Sequence, residues 1–329
     1  MKRWQIFFLL FLVAGTFIIL SKNVPYRKDE GRIFGTTYHI TYKSKNDLKE
    51  DIAATLKMVD NSLSPFNSSS IISKINNNEP AVLDSMFMYV FNMAQNVSQA
   101  TDGAFDITVA PLVNAWGFGF KQGITPDSCT IDSLRRYIGY EKIALKDGTI
   151  AKEHPETMLN CSAIAKGYGC DAIASMFQSK GIEDYMIEIG GEISMKGKND
   201  KGNAWSIGIN TPNEGNSNEL QTILQLTDRC LATSGNYRNF RYVNNKKVSH
   251  TIDPKTGYPA NHSLLSVTII ANECAYADAI ATACMVMGLD KSFTFCKTTP
   301  GIEAYFIYAD EQGKMNTFAT EGFNRYIRK

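Results

Sequence analysis

Leu264-Leu-Ser-Val-Thr-Ile-Ile-Ala-Asn-Glu-Cys-Ala-Tyr-Ala-Asp-Ala-Ile-Ala-Thr-Ala-Cys-Met-Val-Met-Gly288 changes character halfway along. Residues 264–271 form a largely β-branched apolar run of strand length, and 275–287 read as a helix stopped by Gly288. A second helix over 290–298 and a strand over 302–308 are expected next. Strand, helix, helix, strand is not the regular alternation of a parallel βαβ chain, so the pattern predicts an α+β fold.

Upstream the same mixture continues. Strands are expected at 184–197, 204–210, 219–227, 230–233 and 238–243, and a strand pair near 142–160. Helical spacing of Leu48, Ile52, Leu56, Val59 and Leu63 predicts a helix over 48–63. Further helices are expected over 85–100, near 127–137, and from Ser162 to about 178. Gly31 to Tyr42 reads as a strand following a polar linker near 21–30. No break in composition divides residues 31–329, which are expected to form one catalytic domain.

Residues 1–30 differ in kind. Met1-Lys-Arg precedes an apolar run from Ile6 to Leu20, shorter than the roughly 20 residues of a membrane span and suited to a signal-peptide core. An uncleaved anchor is the alternative. No cysteine precedes Cys129, which excludes lipid attachment at a cysteine after the run. An exported protein, anchored or released, is expected. With 34 basic and 33 acidic residues the net charge is +1, which gives no electrostatic case for nucleic acid as a partner. The seven cysteines, at 129, 161, 170, 230, 274, 284 and 296, are odd in number and contain no CxxC pair. That pattern indicates neither a zinc knuckle nor a regular disulfide framework.

Asp278 and Thr282 stand four residues apart and share a helix face. A carboxylate and a hydroxyl are hard oxygen donors of the kind Mg²⁺ takes along with phosphate oxygens; a solvated aspartate and a back-bonded threonine would give the same spacing. Their small neighbours Ala277, Ala279, Ala281 and Ala283 are expected to let a ligand approach closely. Ser249-His-Thr-Ile-Asp-Pro-Lys-Thr-Gly257 reads as a tight turn preset by Pro254 and closed by Gly257. It offers His250 as a general base, and Asp253 either to a ligand or to its own backbone.

Thr233-Ser-Gly-Asn-Tyr237 and Ile189-Gly-Gly-Glu192 can bring hydroxyls or bare backbone to a ligand, or serve as ordinary turns and bulges. Ser162-Ala-Ile-Ala-Lys166-Gly167 opens a helix with small residues and a lysine, as a phosphate-cradling N-terminus does, although it is not a Walker A loop. Phe34, Phe66, Phe105 and Trp116 are available to stack on a flat ring or to fill the core. Together these features point to a metal and phosphate site in a nucleotide-handling enzyme.

Taken in order, the segments resemble one family. Gly35-Thr36, Thr101-Asp-Gly-Ala-Phe-Asp106, Pro111-Leu-Val-Asn-Ala-Trp-Gly-Phe118, Ala165-Lys-Gly-Tyr168, Ile189-Gly-Gly191, Thr233-Ser-Gly235, His250-Thr-Ile-Asp-Pro-Lys-Thr-Gly-Tyr-Pro259 and Ala277-Asp-Ala-Ile-Ala-Thr282 resemble the FAD:protein FMN transferases, the ApbE family. The resemblance implies a single compact, T-fold-like α+β domain in an exported enzyme on the periplasmic side of a bacterial inner membrane. It implies Mg²⁺-dependent cleavage of FAD, attachment of FMN through a phosphoester to a threonine or serine of an acceptor protein, and release of AMP. Acceptors of this family are subunits of electron-transferring membrane complexes and FMN-carrying domains.

By the same resemblance, Mg²⁺ would be held by Asp278, Thr282 and the backbone oxygen of Ala163. Flavin and adenine contacts would fall at Phe34, Phe66, Ala104, Phe105, Asp106, Asn160, Lys166 and Ile252. His250 and Asp278 would be the catalytic pair. Asn160 stands where many relatives carry aspartate and Ala281 where some carry a carboxylate, which implies weaker Mg²⁺ binding. The alternatives are an FAD pyrophosphatase that uses water as acceptor and a flavin carrier without turnover. A serine hydrolase built on Ser234 and His250 ranks last, because no Gly-x-Ser-x-Gly elbow is present.

Overall fold

The computed structural model describes residues 4–5, 24–119, 125–213, 219–236, 240–243 and 246–328. The chain opens with strands β1 (Tyr26–Ile33) and β2 (Thr36–Lys43), then helices α1 (Lys49–Leu63), α2 (Ile71–Asn76), α3 (Ser85–Ala100), α4 (Ala110–Ala115) and α5 (Ser128–Arg135). Strands β3 (Ile143–Lys146) and β4 (Thr149–Lys152) lead to α6 (Ala165–Ser179), β5 (Tyr185–Ile189) and β6 (Glu192–Lys196). There follow β7 (Trp205–Asn210), β8 (Leu220–Leu226), β9 (Arg229–Gly235), β10 (Phe240–Val243), β11 (Lys246–Ser249) and β12 (Leu264–Ala271). Helices α7 (Cys274–Met287) and α8 (Leu289–Thr298) and strands β13 (Glu303–Ala309) and β14 (Met315–Ala319) complete the order.

Eight strands form one antiparallel sheet in the order β1-β2-β5-β6-β9-β12-β13-β14. The α+β expectation holds, with helices gathered on one face of an antiparallel sheet. Side-chain alternation along the central strands explains why both faces are covered. On β12 and β13, Ile269, Ala304 and Phe306 enter the cluster shared with α3 and α7. Their neighbours Ile270, Tyr305 and Ile307 turn to the opposite face, against Trp205, Ile207, Leu224 and Leu226 of the small β7–β8 sheet. Helices α1 and α6 cover the β2–β5 end through Leu56, Ile173, Phe177 and Ile187. Each such fully buried aliphatic side chain contributes about 1.5–3 kcal/mol.

Two stretches expected as single strands fold back on themselves. Residues 31–42 divide at Phe34-Gly35, both at positive φ (51° and 74°), and 184–197 divide at Gly190-Gly191 (63° and 105°). Consecutive positive φ values make the two-residue hairpin turns whose twist matches paired strands. A Cβ on Gly190 would lie 2.8 Å from Thr36 Cγ2, so the second turn has room only for glycine. Because β2 pairs with β5, with Tyr38 opposite Ile189, both hairpin tips project at the same end of the sheet.

The sheet also begins earlier than expected. Tyr26 already pairs with Lys43, so residues 26–30 belong to β1 rather than to a linker. Helices α2 and α4, too short to show a periodic stripe, and strand β14 were not legible as elements. The apolar run Ile6–Leu20 lies outside the described residues, as does Tyr237. Among the described residues no helix is long and apolar enough to cross a membrane.

Candidate active site

The hairpin tips, the start of α6, the end of β9 and one face of α7 enclose a cavity of about 450 Å³. Every site residue implied by the family resemblance lines it: Phe34, Phe66, Ala104, Phe105, Asp106, Asn160, Ala163, Lys166, His250, Ile252, Asp278 and Thr282. From α7 the lining residues are Asp278, Thr282 and Val286, spaced four apart on one face of the helix. The small-residue expectation is corrected here. Ala277, Ala279, Ala281 and Ala283 are fully buried in the core and not in the cavity, so they let sheet and helices close on α7. Ala281 in particular stands where a larger side chain would meet packed core.

Helices α6 and α7 cap one another. Asp278, from α7, accepts the Gly167 amide at the start of α6 on Oδ2, at 3.1 Å. Asp171, from α6, accepts the Cys274 and Ala275 amides at the start of α7, at 2.9 and 2.8 Å. Each carboxylate thereby satisfies donors that a helix start leaves open and lies at the positive end of the other helix's dipole. Gly167 makes the close crossing possible, since a Cβ there would lie 2.4 Å from the Cys274 carbonyl oxygen. The α6 hydrogen-bond ladder opens with Tyr168 N donating to Ile164 O, which leaves the Ala163 carbonyl outside it.

Asp278 is only 2 % exposed. Its other oxygen, Oδ1, lies 3.5 Å from Lys166 Nζ, and the same ammonium is 2.8 Å from Glu192 Oε1. Burial opposes the lysine's charge, but the Asp278 and Glu192 carboxylates outweigh it and raise the Lys166 pKa above its ordinary value. The Glu192 carboxyl is pushed up by burial, against the pull of Lys166 and with the help of Asp278. Glu192 was quoted in the sequence only as the end of a Gly-Gly turn. Its only signal was an acidic residue heading the short stretch Glu-Ile-Ser-Met-Lys, and a carboxyl buried there needs a partner.

Other lining residues act mainly on their own loops. Asp106 takes the Thr108 amide and hydroxyl on Oδ1 (2.7 and 2.6 Å) and the Tyr140 amide on Oδ2 (2.8 Å). Burial still outweighs these donors and pushes its carboxyl up to about 6. Asn160 Oδ1 accepts the Ser162 amide at 2.8 Å and shapes the loop that leads to Ala163. Asp253 does not reach the cavity: it accepts Lys255 N and Thr256 Oγ1, inside its own turn. That turn also holds an ion pair between Lys255 and Asp102, linking it to the 101–106 loop. The turn delivers His250, whose ring meets Phe118 edge-on at 6.3 Å, and Ile252.

The expected aromatics divide. Phe34, Phe66 and Phe105 line the cavity; Phe66, 68 % exposed, stands at its mouth, and Phe118, not among the expected site residues, joins them. Trp116 does not: it packs with Leu112, Ile131, Ile138 and Ile252, and its Nε1 donates to Gly257 O at 2.8 Å. Gly257 holds that turn at φ 79°, where a Cβ would lie 2.5 Å from Ile131 Cγ2.

Asp278, the Thr282 hydroxyl and the Ala163 carbonyl offer hard oxygens, and Ser234 Oγ lies 3.5 Å from Thr282 Oγ1. Among the described residues no group of three His, Cys, Asp or Glu is arranged to hold a metal. A donor set with a single carboxylate fits Mg²⁺, which keeps waters and phosphate oxygens in its shell rather than needing a protein cage. A buried carboxyl oxygen without a hydrogen-bond partner, Glu192 Oε2, lies in the same wall.

A larger cavity of about 650 Å³ opens on the other side of α6, bounded by Tyr89, Tyr168, Asp171, Cys230 and Glu273. Tyr89 donates to Glu273 Oε2 at 2.9 Å there. Burial pushes the Asp171 carboxyl up to about 7, although two amides donate to it. All seven cysteines are free thiols; Cys284 and Cys296 approach to 3.8 Å between α7 and α8.

Comparison with known proteins identifies the family. Residues 34–306 match the ApbE family. The chain is 34% identical, over the full length of both, to a protein of Vibrio cholerae serotype O1 named FAD:protein FMN transferase. It is 30% identical to the Escherichia coli K12 protein of that name, over 91% of this chain and 88% of the other. The flavin transferase ApbE structure from Vibrio cholerae superposes with a TM-score of 0.84, covering 92% of this chain and 100% of that one at 34% identity. With most of its length matched and a full-length relative at 34% identity, the chain belongs to the ApbE family.

Proposed function

We propose that this protein is an FAD:protein FMN transferase. The observation that carries the reading is the convergence, in one cavity, of hard oxygen donors, a buried lysine, a histidine and apolar ring-sized walls. The acceptor's threonine or serine oxygen attacks the phosphorus on the flavin side of the FAD pyrophosphate. A P–O bond forms there, the bond to the bridging oxygen breaks, and AMP leaves. His250 takes the hydroxyl proton. Lys166 stabilises the charge that develops on the phosphate oxygens. Phe34, Phe105 and Phe118 wall the flat ring, and Phe66 shields the mouth.

Mg²⁺ held by Asp278, Thr282 and the Ala163 carbonyl would supply Lewis-acid stabilisation of the pyrophosphate when bound. The basic start and the Ile6–Leu20 run support export to the periplasmic side of the membrane, with the protein anchored or released there. High-salt washing of membranes separates the two: retention means an anchor, release a cleaved signal.

The test of the activity is mass spectrometry of an acceptor domain, carrying a flavinylation threonine or serine, incubated with the protein, FAD and Mg²⁺. A gain on the acceptor equal to FMN through a phosphoester, with AMP released, is expected. Free FMN and AMP with an unmodified acceptor would make the protein a pyrophosphatase. FAD left intact would make it a carrier.

A further inference from the structure

We propose that Glu192 keeps Asp278 available to a divalent cation by holding the Lys166 ammonium away from it. The inference rests on the metal-dependent reading above. Asp278 has two neighbours that compete for it before any cation arrives: the Gly167 amide on Oδ2 and Lys166 on Oδ1. An amide leaves the carboxylate its charge, whereas an ammonium at contact neutralises it. A lysine paired with Asp278 alone would turn the only carboxylate of the donor set into half of a salt bridge and would repel a dication.

The geometry prevents that. Lys166 Nζ sits 2.8 Å from Glu192 Oε1 and 3.5 Å from Asp278 Oδ1, so the ammonium belongs chiefly to Glu192. Glu192 is 3 % exposed and fixed at the first residue of β6, directly after the Gly190-Gly191 turn. Its Oε2 is buried and has no hydrogen-bond partner, so it has capacity for a second ammonium proton. When Asp278 turns to a cation, Lys166 can move fully onto Glu192 without leaving the cavity. Glu192 thus supplies a second buried carboxyl to which the Lys166 ammonium can go, so that Asp278 is not its sole partner. Glu192 is therefore a positioning residue that acts through Lys166.

The test is a Mn²⁺ titration of the full chain without FAD, followed by the electron paramagnetic resonance of free Mn²⁺, with Mg²⁺ as competitor. Glu192→Gln should weaken Mn²⁺ binding by about 10- to 100-fold, the range found when residues supporting a ligand are removed. Lys166→Met should bind at least as tightly as the wild type. The double variant, which removes both charges and leaves Asp278 unpaired, should recover wild-type affinity, a result that a merely structural Glu192 would not give. Unchanged affinity in Glu192→Gln overturns the proposal. A double variant as weak as Glu192→Gln also overturns it and makes Glu192 a direct ligand. Absence of Mn²⁺ binding in the wild type overturns the metal reading along with the proposal, whereas loss of FMN transfer with these affinities intact would count against the transferase reading alone.

Discussion

Asp171 and Asp278 begin as equals. Each projects from one of two crossing helices and accepts backbone amides at the other helix's start, one at the buried Asp278 and two at the half-buried Asp171. They differ in what remains. Both oxygens of Asp171 are engaged by backbone, and among the described residues no ammonium pairs with it, although the cavity beside it is the larger. Asp278 commits one oxygen and turns the other to Lys166, with the Thr282 hydroxyl one helical turn away. A capping carboxylate becomes chemical when it has an oxygen to spare and a charge nearby to exchange. Cavity size does not make that distinction.

The contrast is broken most directly by Asp278→Ala. FMN transfer should fall by about a thousandfold or more, the scale for removing a preorganised electrostatic partner, while the lost cap costs about 1 kcal/mol of stability. A variant that still transfers at a tenth of the wild-type rate would remove Asp278 from the chemistry. His250→Asn should slow transfer by about a hundredfold, the lower range for a general base, with FAD affinity, measured by fluorescence quenching, changed far less. Equal losses in rate and affinity would make His250 a binding residue.

Asp171→Ala should show the reverse profile. It loses two amide partners at once and should cost about 2 kcal/mol in denaturant unfolding, with transfer per folded molecule within about twofold of wild type, as expected where no transition-state contact is lost. A large loss of rate at full folding would erase the distinction between the two aspartates.

The contrast also shows in pH. The Asp171 carboxyl is raised from its usual 3.8 to about 7 by burial, so the folded protein favours its protonated form. Its contribution to stability is fully present below about pH 4 and is lost as pH rises through 7. Asp171→Asn should therefore flatten the melting-temperature profile between pH 4 and 7, and an unchanged slope would show that Asp171 is ionised throughout.

Much of the site was legible because its motifs are local. Asp278 and Thr282 announce a shared face by spacing, and His250 is fixed by a turn whose proline and glycine are visible. Asp253, in the same turn, could not be assigned from the sequence, since an aspartate before proline can cap itself or face a ligand; here it caps itself. The two hairpins were read as single strands because a Phe at positive φ carries no turn signal, and a Gly-Gly pair also suits a bulge. Glu192 escaped for a different reason. Its partners, Lys166 and Asp278, come from helices distant in sequence, and only the antiparallel order of β5, β6 and β9 beneath α6 and α7 brings the three charges together. Trp116 was over-read, because an aromatic in a motif looks the same whether it faces a ligand or the core.

The Gly167 amide, held by the same carboxylate that would meet a cation, is a reporter built into the backbone. Any ligand that draws Asp278 away weakens this amide's only capping bond, and any ligand that locks Asp278 in place protects it. Its hydrogen-exchange rate and amide chemical shift would therefore follow the occupancy of the site residue by residue, without a label and without turnover.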